Sequence, residues 1–202
     1  MLFAEEELGP GSRRRLTWAA GVDGDHKLFF TIRPSQAAKG TLAQVAMSLR
    51  SDRRMRGSQV AADRLHISMN PLGSYLALPV GLIARAVEAA EAVSMRPFLI
   101  ALNRVGTWGR GAGPKAVVMW GDEGVVGVSR LYDAIHAALC ERGLTRDPPV
   151  AIEPHLTLMY DTAFAAERII PAVTWTVRDF VLLASHQGHG RHQELGRWRL
   201  AG

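Results

Sequence analysis

The pattern of apolar and polar residues divides the chain into strands and amphipathic helices. Runs rich in β-branched and aromatic residues predict strands, whereas apolar residues at three- and four-residue spacing predict helices. The predicted strands are 27–33, 64–70, 98–105, 116–120, a segment around 155–158, 174–184 and 194–200, and the predicted helices are 35–49, 79–93, 129–142 and 164–169. Hairpin-like strands interspersed with helices favour an α+β fold with mainly antiparallel sheets.

Two of the predicted strands carry the same kind of tetrapeptide. One reads His-Ile-Ser-Met from His66, and the other reads His-Leu-Thr-Leu from His155. Successive side chains of a strand point to opposite faces, so His66 shares a face with Ser68 and His155 shares a face with Thr157. The aliphatic residues between them anchor each strand on a core. Two such strands facing each other would form a symmetric polar cleft.

The chemistry of these side chains points to phosphate esters. A neutral imidazole takes a proton and an imidazolium gives one, and both states are accessible near pH 6.5. The hydroxyls of Ser68 and Thr157 could donate to the non-bridging oxygens of a bound phosphate. Neither tetrapeptide contains a carboxylate that would suggest a catalytic triad or a metal ligand's partner. In-line cleavage of a phosphodiester without a metal is therefore the simplest chemistry for this set.

Packing at a sheet edge is the alternative explanation for a strand histidine, and for a single copy of the motif it is the better one. Of the seven histidines, however, only His66 and His155 have a hydroxyl residue two positions later with aliphatic residues at the first and third positions. Because the motif occurs twice, coincidence explains it less well than a shared function does.

Composition describes an ordinary globular protein. The chain has 202 residues, 48% apolar and 21% charged, and no apolar run approaches the ~18 residues of a membrane span. The acidic start lacks the features of a secretory signal, so we expect a cytoplasmic protein with no membrane association. Cys140 is the single cysteine, which excludes an internal disulfide and a cysteine-based zinc site. The net charge of +5, carried mostly by arginine, permits a polyanionic ligand.

We predict two regions: residues 1–26 as a flexible N-terminal extension and residues 27–202 as a single bilobal domain. Residues 106–113 are rich in glycine but lead through Pro-Lys into a strand, whereas a phosphate-binding loop would lead into a helix. This segment therefore reads as a hairpin loop, from which Trp108 and Arg110 could border a cleft.

Three further histidines recur at three-residue intervals near the end of the chain, at positions 186, 189 and 192. Three imidazoles could hold a metal ion. The glycines between them favour a solvated loop instead, so we expect neither a metal nor a cofactor.

The two motifs and their surroundings resemble a known family. Residues 66–73 (His-Ile-Ser-Met-Asn-Pro-Leu-Gly) and 154–161 (Pro-His-Leu-Thr-Leu-Met-Tyr-Asp) are similar to the paired signatures of the two-histidine phosphoesterases, in particular the LigT-like RNA 2′,3′-cyclic phosphodiesterases, also called 2′-5′ RNA ligases. The resemblance covers about 27–200, including the opening strand at 28–30 and the ending at 196–200.

The resemblance implies two pseudo-symmetric lobes, each a mainly antiparallel sheet with outer helices, around a central cleft. It implies His66 and His155 as catalytic residues, with Ser68 and Thr157 as substrate-binding residues. In this arrangement His155 activates water and His66 protonates the departing 3′ oxygen, which leaves a 2′-phosphate. The sequence also allows these two roles to be exchanged.

The implied substrates are RNA ends or small cyclic nucleotides, bound by a monomer, with reversible 2′-5′ RNA ligation as a further activity. Tyr160 and Arg191 are further candidates for substrate contacts. Two alternatives stay open at this point. One is a non-catalytic module that binds RNA ends or nucleotides, and the other is a metal-dependent hydrolase that uses the histidines at 186–192.

Overall fold

The computed structural model describes residues 24–53, 55–109, 111–145, 149, 151–186 and 191–202. Most of the predicted N-terminal extension, residues 1–23, lies outside this set. The first described strand begins at His26. None of the helices described is long and apolar enough to cross a membrane.

Nine strands and three α-helices make up the described part of the chain. The strands are β1 (His26–Ile32), β2 (Ser58–Gln59), β3 (Ile67–Tyr75), β4 (Phe98–Trp108), β5 (Lys115–Trp120), β6 (His155–Asp161), β7 (Arg168–Val177), β8 (Asp179–His186) and β9 (Arg191–Arg199). The helices are α1 (Gln36–Arg53), α2 (Val80–Glu91) and α3 (Val126–Glu141). The predicted α+β class is confirmed.

All nine strands join one antiparallel sheet, whose order is β7-β4-β5-β6-β3-β1-β8-β9, with the short β2 also paired to β6. The strands that carry the two histidine motifs, β3 and β6, are central neighbours. Each is preceded by a strand and a helix, β1-α1 before β3 and β5-α3 before β6, so the two halves repeat one arrangement. The division into two lobes stays a prediction, because the sheet is continuous across its centre.

The sheet is strongly curved. Strand β7 passes into β8 through the single residue Arg178, although the two strands are six positions apart in the sheet order. In a flat sheet that separation would be about 29 Å, far more than one residue can span. The N–H of Leu200 donates to the carbonyl of Arg178 (2.8 Å) and fastens this crossing.

The two faces of the sheet bury different clusters. The main core lies between the sheet and the helices and contains Phe30, Ile67 and Leu156 among many others. Two small clusters lie on the other face, one formed by Phe29, Val181 and Leu183 and the other by Ala116, Val118 and Trp120. The motif histidines lie on this second face.

The predicted helix at 164–169 is wrong. The segment is extended, because Ala165 donates its N–H to Oγ1 of Thr107 (2.9 Å) and accepts from the Thr107 N–H (2.9 Å). Pairing with β4 then overrides the helical preference of an Ala-Ala-Glu-Arg sequence.

The prediction of a single strand over 174–184 is also wrong. The segment divides at Arg178 into the end of β7 and the start of β8. The other predicted elements are present with shifted ends. Strand β3 extends to Tyr75 after a 3₁₀ turn at Ala62–Arg64, α1 continues to Arg53, and β4 continues through Trp108 into the glycine-rich loop.

Candidate active site

The register of the two central strands assembles the four motif side chains on one face. Ile67 pairs with Leu156 in antiparallel register, which places His66 across from Thr157 and Ser68 across from His155. The aliphatic partners of the motif are buried in the main core, whereas the two imidazoles and two hydroxyls are only partly buried. Residues directly across a strand pair have Cβ atoms about 4.5–5.5 Å apart, so the four groups form a compact array.

Both motif histidines are held by the same local hydrogen bond. Nδ1 of His66 donates to the carbonyl of Arg64 (2.6 Å), and Nδ1 of His155 donates to the carbonyl of Glu153 (2.9 Å). A carbonyl can only accept, so Nδ1 carries the proton in each ring. In the neutral tautomer, Nε2 is then the nitrogen with the free lone pair. Each ring therefore keeps Nε2 for proton transfer.

A β-bulge brings Tyr160 to the same face as the motif on β6. Val118 pairs with Thr157, but the next residue of β5, Val117, pairs with Met159, so β6 contains one extra residue at this point. Tyr160 consequently pairs with Ala116 on the cleft face instead of turning into the core, and its side chain is 48% exposed. The structure thus places this predicted substrate contact along the same strand surface as His155.

The strand end beyond the bulge is fixed by a buried carboxylate. Asp161 accepts from the N–H groups of Gly57 (2.5 Å) and Ala163 (2.8 Å). These and other backbone donors, led by Ala163, lower the pKa of Asp161 although burial opposes them. The carboxylate therefore links β6 to the segment before β2. It holds in place the end of the strand that carries His155 and Thr157.

The two imidazoles have different aromatic neighbours. The ring of His66 lies 5.4 Å from Phe29 and 5.2 Å from His192, measured between ring centroids. The ring of His155 lies 4.6 Å from Trp108, which in turn contacts Trp120 at 5.2 Å. One side of the site therefore adds a third titratable ring, and the other adds two indoles.

Burial and nearby cations keep His66 neutral in the empty cleft. Burial is the main cause that lowers the pKa of His66 from 6.5 to about 4, and Coulomb repulsion from His192, Arg33 and His155 acts in the same direction. The hydrogen bond to the Arg64 carbonyl opposes these effects. The pKa of His192 is also lowered, by burial first and then by Arg33 and Arg64.

The segment around Arg191, a predicted substrate contact, brings a different residue to the motif histidines. Arg191 is the exposed first residue of β9, paired with His186, and the strand alternation places it on the face opposite His192. His186 packs edge-on against His26 at 4.4 Å rather than against the motif rings. His192, paired with Ser185, is the residue of this segment that reaches His66.

Within the described residues no group of three or more His, Cys, Asp or Glu side chains is arranged to hold a metal ion. His189, one of the three histidines considered for such a site, lies outside the described residues. Arg110, expected beside Trp108 at the cleft, also lies outside them.

Sequence reasoning missed Phe29, Arg33 and His192 as neighbours of His66. Phe29 is hidden in a continuous apolar run, where the alternation that would mark a cleft-facing residue cannot be seen. The position of His192 depends on the pairing of β9 with β8, which no local pattern specifies.

Several solved structures share this architecture. E. coli LigT in its apo form is 23% identical, with 88% of this chain and 98% of that chain covered and a TM-score of 0.66. A structure described as a phosphoesterase is also 23% identical, with 88% and 99% covered and a TM-score of 0.69. The protein TT0787 of Thermus thermophilus is 18% identical, with 87% and 98% covered and a TM-score of 0.69.

The chain has the LigT fold. The α+β, LigT-like fold expected from the two motifs is therefore confirmed, over nearly the whole length of each compared protein, while the two-lobe division stays a prediction. No protein-family model and no curated protein sequence matches the chain. E. coli LigT has also been solved in complexes with ATP, NADP+, 3′-AMP and phosphate, and these structures show the same likeness.

Proposed function

We propose that this chain is a phosphodiesterase that hydrolyses 2′,3′-cyclic phosphates, on RNA ends or on nucleotides, to 2′-phosphates without a metal ion. The observation that carries the proposal is the matched pair of Nδ1 hydrogen bonds, which reserves Nε2 of both His66 and His155 for proton transfer on one face of the sheet. The LigT fold and the phosphate and nucleotide complexes of E. coli LigT support a phosphate ester as the ligand.

The reaction is a single in-line displacement at phosphorus. Nε2 of His155 accepts a proton from water as the water oxygen bonds to phosphorus. The bond from phosphorus to the 3′ oxygen breaks, and that oxygen takes a proton from Nε2 of His66. Ser68 and Thr157 donate to the non-bridging oxygens, whose charge grows in the transition state. The 2′ ester remains, and the same displacement with an RNA 5′-hydroxyl in place of water forms a 2′-5′ phosphodiester, which is ligation.

The protonation of His66 follows from substrate binding. In the empty cleft its low pKa leaves the ring neutral at pH 7. A cyclic phosphate carries a negative charge, and an anion between the two imidazoles favours the imidazolium form. The anionic substrate therefore raises the pKa of the group that must donate the proton.

The test is hydrolysis of the four nucleoside 2′,3′-cyclic monophosphates and of a short RNA that ends in a cyclic phosphate, each with and without a chelator. Phosphorus NMR of the products should show only 2′-monophosphates, because the acid beside a fixed substrate always serves the same ester oxygen.

Each outcome bears on the proposal. A 3′-phosphate or a mixture would contradict the orientation of substrate between His66 and His155. Activity that disappears with chelator and returns with zinc would favour a metal-dependent hydrolase. Tight binding of the RNA end with no turnover would favour the non-catalytic module.

A further inference from the structure

Two basic side chains beside His66 are not used by the proposed reaction. Arg33 follows β1, on the strand face that also carries Phe29, and His192 lies on the same face of β9. The ring of His192 packs edge-on against both His66 (5.2 Å, 77°) and Phe29 (6.3 Å, 86°). These contacts hold the third imidazole at the rim of the motif array.

Both side chains contain buried nitrogen atoms without a partner. Nε of Arg33 and Nδ1 of His192 are buried, and neither has a hydrogen-bond partner among the residues described. Protonation at both nitrogens of His192 would bury an unpaired donor, which is costly. This cost and the lowered pKa of His192 both favour its neutral ring.

Two carboxylates lie near this pair, and one of them is shared with a second arginine. Nη1 of Arg33 donates to Glu194 (3.2 Å), but both oxygens of Glu194 also accept from Arg197 (2.9 and 2.7 Å). At His192 the positive fields of Arg33 and Arg64 are opposed only by Asp63 among the charged groups that influence its ring. At His66 the neighbouring ionisable groups His192, Arg33 and His155 all lower the pKa of the ring. This rim of the cleft favours an anion.

We propose that Arg33 and His192 form an anion subsite that binds a second phosphate of the substrate, the one on the 5′ carbon of the terminal nucleotide. This inference rests on the proposed function. If His66 protonates the departing 3′ oxygen, the ribose lies on the His66 side of the reacting phosphate, and its 5′ phosphate extends toward this rim. Arginine with its fork of donors and a neutral imidazole N–H suit a phosphodiester. The substrate class is then an RNA end or a 5′-phosphorylated nucleotide rather than a cyclic nucleoside monophosphate.

The experiment compares two substrates that differ in one group: adenosine 2′,3′-cyclic phosphate with a 5′-hydroxyl and the same molecule with a 5′-phosphate. Hydrogen bonds to a charged group are worth enough to expect about ten- to a hundredfold higher kcat/KM for the 5′-phosphorylated compound. Arg33→Met and His192→Phe should remove most of this preference, and Arg33→Lys should retain part of it. His192→Phe keeps an aromatic ring against His66.

A matched control removes the same charge elsewhere. Arg85 lies on α2, on the helical side of the sheet, and donates to the carbonyl of Arg142 (3.2 Å). Arg85→Met should keep the wild-type preference, which separates a subsite from a general loss of positive charge.

Three results would overturn the inference: a wild-type ratio near one, a preference unchanged in both variants, or equal losses with both substrates. The last result would mean that these residues only position His66. If the wild type hydrolyses neither compound, the proposed function fails. The subsite is then judged by calorimetry, with adenosine 2′,5′-bisphosphate against adenosine 2′-monophosphate. Tighter binding of the bisphosphate that both variants abolish supports it, and equal affinities refute it.

Discussion

The two halves of the cleft hold the same proposed catalytic group in different surroundings. His66 and His155 share the strand position, the hydroxyl neighbour and the Nδ1 hydrogen bond to a backbone carbonyl. Around them the halves differ, because His66 has Phe29, His192 and Arg33, whereas His155 has Trp108 backed by Trp120.

The features that the two histidines share determine which chemistry the site can perform. Their different neighbours determine how each imidazole is used. The backbone bonds fix two equivalent proton-transfer atoms. The neighbours add basic side chains on the His66 side and indoles on the His155 side. In the proposed reaction this difference lets the cleft distinguish the two ends of an asymmetric substrate.

The largest expected effect on kcat comes from replacing the two histidines themselves. His66→Asn and His155→Asn should each lower kcat about 10²–10⁴-fold, because each removes a proton-transfer group while keeping a donor for the carbonyl. The double variant should be little worse than the poorer single variant, since the two groups act in one step. Turnover near the wild-type rate in either single variant, measured on protein with native circular dichroism, would refute the acid-base pair.

These four motif residues are also the part of the site that the sequence could predict. Period-two alternation and duplication are local features, and they predicted that each histidine shares a strand face with its hydroxyl residue and that the two strands meet at one cleft. The position of Tyr160 depends on a bulge in β6, and the contact of His192 depends on the pairing of distant strands. Non-local pairing also explains why residues 164–169 do not form the predicted helix, because contacts with β4 outweigh local propensity there.

The second prediction uses the electrostatic difference between the halves. The pKa of His66 is about 4 in the folded protein and 6.5 when unfolded, so the unfolded chain binds more protons between these values. Stability should therefore fall as the pH is lowered from 6.5 toward 4, by at most about 3 kcal/mol from this group. His192, whose pKa is also lowered, adds to the same trend.

Urea unfolding of the wild type and of His66→Phe across this range measures the effect. The variant should lose less stability on acidification, and the difference at pH 8, where the imidazole is neutral in both states, gives the change in packing together with the lost hydrogen bond to the Arg64 carbonyl. Added phosphate should reduce the acid loss of the wild type by favouring the imidazolium in the fold. Parallel curves for the two proteins would contradict the assigned pKa.

The third prediction concerns the hydroxyls of the two motifs. Ser68→Ala and Thr157→Val should each lower kcat/KM about ten- to a hundredfold, because each removes a hydrogen bond to a charged oxygen. Since the hydroxyls stand across from His155 and His66 respectively, the two losses should be similar. Ser74→Ala, farther along β3, is the matched control and should leave kcat/KM unchanged. A large loss at only one hydroxyl would show that the phosphate is held by one strand.

The smallest expected effect lies on the aromatic side. Trp108 packs against His155 with a 4.6 Å centroid separation, and aromatic contacts of this kind are worth about 0.5–1.5 kcal/mol beyond burial. Trp108→Leu should therefore lower kcat about three- to tenfold by loosening the imidazole, and Trp108→Phe should recover most of that loss because a ring remains. Leu99→Ala, at an exposed position on the same strand, is the control and should match the wild type. If the phenylalanine variant is as slow as the leucine variant, the larger contact area of the full indole, rather than an aromatic ring as such, supports His155, and the contrast between the two halves of the cleft depends on the size of that side chain.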